Sequence, residues 1–127
     1  GFIDLAGAGA AEGVRLPGTA LLIGDLLPDG DPPKAVVTDY VAEYQAAYGE
    51  APSTFGGYAH DAFAILVDAI KRAGSTEPEA IRDAIEETSG LAGTTGVVTM
   101  TPEDHLGFDL TAFRMLEIKD GTWTLAQ

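Results

Sequence analysis

The chain has no cysteine. Disulfides, thiolate nucleophiles and cysteine-bound zinc are excluded together, although this absence alone does not fix a compartment. Cationic side chains are also few. Seven Lys and Arg stand against 20 Asp and Glu, for a net charge of −13. Such a surface repels a phosphate backbone and argues against a nucleic-acid partner. The acids are scattered and form no block, so the charge reads as a solvated face. Long apolar runs are missing too. Nothing approaches the roughly 20 consecutive apolar residues of a membrane-spanning helix, and the run Ala20–Ile23 stops at Gly24 and Asp25. The chain begins Gly1-Phe2-Ile3-Asp4, without Met and without a basic segment followed by an apolar one. A processed or truncated product is therefore expected.

What is present has the balance of a soluble globular protein, with 46% hydrophobic and 21% charged residues. A length of 127 residues suits one core and not two. Asp4 to Ala11 reads as a short helical or irregular stretch. A strand is expected near Val14–Leu16, broken by Pro17-Gly18, and a second extended piece over Ala20–Ile23. Leu27 to Pro33 is turn chemistry from end to end.

Three helices should follow. From Pro33 to Tyr48, Val36, Val37, Tyr40, Val41, Tyr44 and Ala47 recur at three- and four-residue steps, with Gly49 just past the end. Gly56 to Ala73 carries a wide apolar stripe closed by Gly74, and is expected to be the most buried of the three. A third begins after Ser75-Thr76 with Pro78 in its first turn, and Thr76 to Glu79 spells a capping box. Beyond Gly90 the period changes. Val97–Thr99 reads as a short strand, Leu110–Ile118 as a longer one, and Asp120-Gly121 as the turn of a hairpin ending in Trp123–Leu125. Three consecutive helices between extended ends depart from strand–helix alternation, which implies that part of the sheet belongs to chain absent here.

Catalytic sets are thin. His60 and His105 are 45 positions apart, and Glu103-Asp104-His105 reads as a solvated turn, since neighbours in sequence face different ways. The Gly7–Gly13 stretch has the wrong last spacing for a dinucleotide loop and lacks the lysine of a phosphate-binding loop. No serine lies in a G-x-S-x-G context, and Asp29/Asp31 and Glu86/Glu87 fit a turn and a helix face. No nucleophile, base and orienter can be assembled. The expectation is a protein that is not an enzyme, with no cofactor and no metal. Phe55, Tyr58 and His60 differ in kind. They gather at the entry of the second helix, where they serve either core packing or contact with a small ligand.

Several pieces, taken in order, carry a resemblance. They are Ala11-Glu12-Gly13-Val14, the turn from Leu27 to Pro32, and Tyr44-Gln45-Ala46-Ala47-Tyr48-Gly49-Glu50-Ala51-Pro52. Tyr58-Ala59-His60-Asp61-Ala62, Ala69 to Ser75 and Ile81-Arg82-Asp83-Ala84-Ile85 follow. Gly93-Thr94-Thr95-Gly96-Val97-Val98-Thr99-Met100 and Asp120-Gly121-Thr122-Trp123 close the set. Together the chain resembles the C-terminal part of the type I periplasmic binding proteins of branched-chain amino acid ABC transporters.

The resemblance implies an α/β fold, a fragment of a two-lobed clamshell. Residues 1–16 would finish one lobe, 17–25 would cross between lobes, and 30–98 would supply helices and a strand of the other. The chain would cross again near 100–108, and the hairpin in 108–127 would return to the first lobe. The function implied is the ligand-binding component of an ABC importer for branched-chain or other amino acids, or similar small carboxylates. Its partners would be the transporter's membrane subunits, and its location periplasmic or extracellular. A ligand-sensing domain of a receptor or regulator is the alternative. The family's ligand-gripping aromatic falls on Phe55 with Tyr58 nearby, while His60 departs from the Tyr that relatives often carry. A fragment of this kind should also expose apolar faces and self-associate.

Overall fold

Asp120 and Gly121 both take positive φ, 51° and 72°, which is the backbone of a type I′ hairpin turn. β4 (Arg114–Lys119) and β5 (Thr122–Leu125) accordingly pair antiparallel, with Lys119 opposite Thr122 and Leu116 opposite Leu125. The expected hairpin is therefore present. In the computed structural model, which describes residues 1–126, β1 (Arg15–Gly18) pairs with the other side of β4 to give the order β1-β4-β5. The sheet thus ties the two ends of the chain together. Pro17 lies in an edge strand, where a missing N–H is tolerated. Arg15 stands opposite Glu117 and binds its carboxylate at 3.0 Å, with Lys119 at 3.5 Å from the same oxygen.

Ahead of the sheet, two short helices, α1 (Phe2–Ala6) and α2 (Ala8–Ala11), occupy the stretch read as helical or irregular. The second extended piece is not extended. Ala20–Leu26 is a 3₁₀ helix kinked at Ile23. A period of three places Ala20 and Ile23 together on the core, where both are buried with Leu27, Val37 and Leu116. An extended chain would have pointed neighbours of this run to opposite sides. A second 3₁₀ turn, Leu110–Ala112, likewise replaces the start of the strand expected from Leu110, because the Asp109 carboxylate accepts the Thr111 N–H at 2.7 Å.

The three main helices form close to where the sequence puts them. α3 (Pro32–Tyr48) starts with prolines in its first turn and ends at Gly49 in the left-handed conformation. α4 (Thr54–Ala73) starts two residues earlier than the apolar pattern alone indicates, because the Ser53 hydroxyl accepts the Gly56 N–H at 3.2 Å. α5 (Pro78–Glu86) packs on α4. Its expected capping box is absent. Pro78 fixes the first helical residue and makes Glu77 the cap, so Ser75, not Thr76, takes the free amide of Glu77 at 3.1 Å. β2 (Leu91–Ala92) and β3 (Val97–Val98) then form a two-stranded ribbon around Gly93–Gly96.

The expectation that the second helix is the most deeply buried holds only along one narrow stripe of α4, at Gly57, Asp61 and Ala69. Phe55, Tyr58, Phe63, Leu66 and Val67 are exposed. Among the described residues, no sheet lies over the broad apolar face of this helix.

Candidate functional site

The first two turns of α4 join three features: an exposed aromatic pair, two glycines in close contact with neighbours, and a buried carboxylate. Phe55 and Tyr58 lie three apart and share a face of the helix. Their rings meet edge to face at 6.1 Å, and Phe55 is 80% exposed. A large aromatic ring left in water at a helix entry has apolar area available for a ligand.

His60 does not join that pair. It lies about 140° around the helix from Phe55, at ~100° per residue. Its ring packs on Tyr40 of α3 with centroids 4.7 Å apart, and Nδ1 is 3.3 Å from Asp61 Oδ1. Tyr40 continues into a ladder with Tyr44 and Tyr48, at 5.9 and 4.6 Å. Burial, followed by the nearby Tyr44 and Asp61, pushes the Tyr40 phenol above its ordinary range.

Gly56 and Gly57 explain how α4 comes so close to its neighbours. A Cβ on Gly56 would lie 2.7 Å from the Tyr40 hydroxyl. One on Gly57 would lie 2.6 Å from Leu21 Cδ2 and 2.8 Å from Thr94 Oγ1. A glycine inside a helix costs about 1 kcal/mol relative to alanine, so two in succession mark a contact that excludes a side chain.

Asp61 completes the arrangement. It is 5% exposed, and its two oxygens accept the backbone N–H groups of Thr94 at 2.6 Å and Thr95 at 2.8 Å. Ionised acceptors make strong, short bonds of this kind. Gly93 is shaped to the same carboxylate, since a Cβ there would lie 2.7 Å from its carbon. The Gly-Thr-Thr-Gly stretch is thus a turn wrapped on one aspartate. In the sequence Asp61 stands out only as part of the Tyr58–Ala62 stretch, with no role of its own. An acid next to a wide apolar stripe was the available signal, but nothing local named its partners 33 and 34 positions away.

The remaining candidates are structural. Asp104 accepts the amides of Leu106 and Gly107, and its own N–H reaches the Thr101 hydroxyl. His105 pairs with Glu86 at 3.2 Å. Among the described residues, no three His, Asp or Glu side chains converge as metal ligands. Two grooves lie elsewhere. One of 610 Å³ runs between Leu21, Asp25, Val41, Gln45, Pro52 and Trp123, and one of 490 Å³ lies over Ile81, Ile85 and Met100. Neither includes Phe55, Tyr58 or His60. The aromatic pair is an open half-surface and not a closed pocket.

Comparison with known proteins follows this geometry. A family model for periplasmic binding proteins matches residues 3–122. The crystal structure of an extracellular ligand-binding receptor from Rhodopseudomonas palustris HaA2 is 34% identical, with a TM-score of 0.87. The match covers 98% of this chain and 37% of that one. A protein from Rhodospirillum rubrum assigned to branched-chain amino acid ABC transport is also 34% identical, with a TM-score of 0.76, covering 98% of this chain and 33% of that one. A leucine binding protein from Thermotoga maritima MSB8, 23% identical over 98% of this chain and 33% of that one, shares the fold at a TM-score of 0.64. A search of curated protein sequences found no match. The chain therefore spans little more than a third of the length of these structures, and its relatives are binding proteins and receptors, not enzymes.

Proposed function

The chain belongs to the periplasmic binding protein family, and from that premise we propose that it is the C-terminal part of a two-lobed solute-binding protein. That protein captures an amino acid or similar small carboxylate outside the cytoplasm and delivers it to the membrane subunits of an ABC importer. Residues 1–16 and 108–127 belong to one lobe and 30–98 to the other, with crossings at 17–25 and near 100–108. The pairing of β1 with β4 supports the first grouping, since it joins the two ends in one sheet. Phe55 and Tyr58 face the cleft as apolar contacts for the ligand's side chain, with His60 contributing at most through the open edge of its ring.

The observation that carries this reading is the exposed aromatic pair on a helix start that is otherwise firmly held. The ligand class rests on the Rhodospirillum rubrum relative. A ligand that binds only the folded state raises the melting temperature. The test is a thermal-shift panel of amino acids, small aromatic acids and amides on the full-length protein. A branched-chain amino acid should give a clear shift, and Phe55→Ala should weaken its binding about tenfold or more by removing ~1.5 kcal/mol or more of apolar contact. His60→Ala should weaken it less. No shift with any amino acid overturns the ligand class, and wild-type affinity in Phe55→Ala overturns the site.

A further inference from the structure

Asp61 is buried below the exposed Phe55–Tyr58 rings and touches the His60 ring at 3.3 Å, and it makes two short hydrogen bonds from α4 to the turn that follows β2. It sits six residues beyond Phe55 and three beyond Tyr58, on a stripe it shares with buried Gly57. Its carboxylate takes two amides of the Gly93–Gly96 turn. Gly57, one helical turn earlier, has room for no side chain between Leu21 and Thr94. The turn is itself closed by the Gly93 N–H on the Gly96 carbonyl at 2.8 Å, and Gly96 packs against Ala112 so closely that a Cβ would lie 2.9 Å from Ala112 Cβ. The start of α4 is thereby connected, through one carboxylate, to a turn anchored on the chain that leads into β4.

We propose that Asp61 is a positioning residue. By holding the Thr94 and Thr95 amides it fixes the rotation and height of the first turn of α4, so that the Phe55–Tyr58 pair is in place before a ligand arrives. This consequence for binding rests on the ligand reading above. The physical basis is preorganisation: a contact surface fixed in advance loses less freedom on binding. A carboxylate buried against two N–H groups has few other arrangements open to it, because separating them would leave both donors unpaired and the carboxylate with only the His60 ring beside it.

The test uses the full-length protein and separates position from stability. 4-Fluorophenylalanine is incorporated at position 55, and its ¹⁹F resonance is compared between wild type and Asp61→Asn at a temperature where both are fully folded. Amide hydrogen exchange is read at Thr94 and Thr95. Asp61→Asn should shift or broaden the position-55 resonance and raise exchange at those two amides by about tenfold or more. Affinity for L-leucine, the probe ligand, should fall about tenfold. An unchanged resonance in a folded variant overturns the proposal, since a purely structural role would lower only the melting temperature. Should Asp61→Asn fail to fold, Gly57→Ala places a methyl against Thr94 and Leu21 with the carboxylate intact. It should move the same resonance, and its failure to do so is equally decisive against the proposal. The two readings fail separately. If Phe55→Ala binds as wild type while the resonance responds to Asp61→Asn, the ligand site is wrong and the positioning stands. If Phe55→Ala loses binding and the resonance does not respond, the reverse holds.

Discussion

Tyr40 illustrates how much a single side chain here depends on its neighbours. It lies between the Tyr44 ring, His60 and the surface of Gly56, and its phenol is held above the ordinary range by burial and then by Tyr44 and Asp61. The folded state therefore keeps a proton that the unfolded chain releases at about pH 10. Below that pH both states carry the proton and the contribution to stability is complete. As pH rises through the phenol range the unfolded state binds fewer protons, and stability falls. Urea midpoints measured from about pH 8 to 11 should decline, with a shallower slope in Tyr40→Phe. Equal slopes would mean that the phenol is free of its surroundings. At the same scale, Phe55 and Tyr58 could be picked from the sequence because aromatics at a helix entry stand out, whereas Asp61 could not. Its role depends on amides supplied by a turn that no local pattern connects to it.

Among the elements, the helices and the hairpin were legible and the 3₁₀ segments were not. α3 and α4 announce themselves through periodic apolar residues and terminal glycines, and both glycines take the left-handed conformation that ends a helix. The β4–β5 turn is equally explicit. Gly121→Ala puts a Cβ on a residue at φ 72°, which costs about 1–2 kcal/mol. Thermal unfolding followed by circular dichroism should show that loss, and a wild-type melting temperature would mean the turn tolerates another geometry. Ala20–Ile23 reads as extended in the sequence because a run of four apolar residues fits a buried strand as well as the 3₁₀ helix, Ala20–Leu26, that forms there. Tertiary contact with Val37 and Leu116 decides between them. The capping box of α5 failed for a simpler reason. A proline sets the first helical residue itself, and the cap moves with it.

At the scale of the molecule, the exposed stripe of α4 is the most consequential surface. Phe63 is 68% exposed and shares the uncovered side of α4 with Phe55, Leu66 and Val67 among the described residues. The 127-residue chain on its own should cover this side by pairing with a second copy. Its net charge of −13 opposes that approach, so association should strengthen as salt screens the repulsion. Light scattering across protein and salt concentrations tests this, and a monomer under all conditions would overturn it. Three consecutive helices between extended ends are legible in the sequence, and the structure has them as α3, α4 and α5. Which helix face is exposed is not legible in the sequence, because the apolar stripe of α4 looks the same whether or not it has a cover.

Trp123 is the single tryptophan, and it lies in β5 beside the core cluster, with Phe2 at 6.4 Å and the 3₁₀ segment across the groove. Its fluorescence thus originates at the seam between the terminal hairpin and the rest of the chain, while far-ultraviolet dichroism comes mainly from α3 and α4. The two signals divide the molecule much as the proposed lobes do. Unfolding curves that coincide would describe one cooperative unit, and curves that separate would assign an order to the loss of sheet and helices.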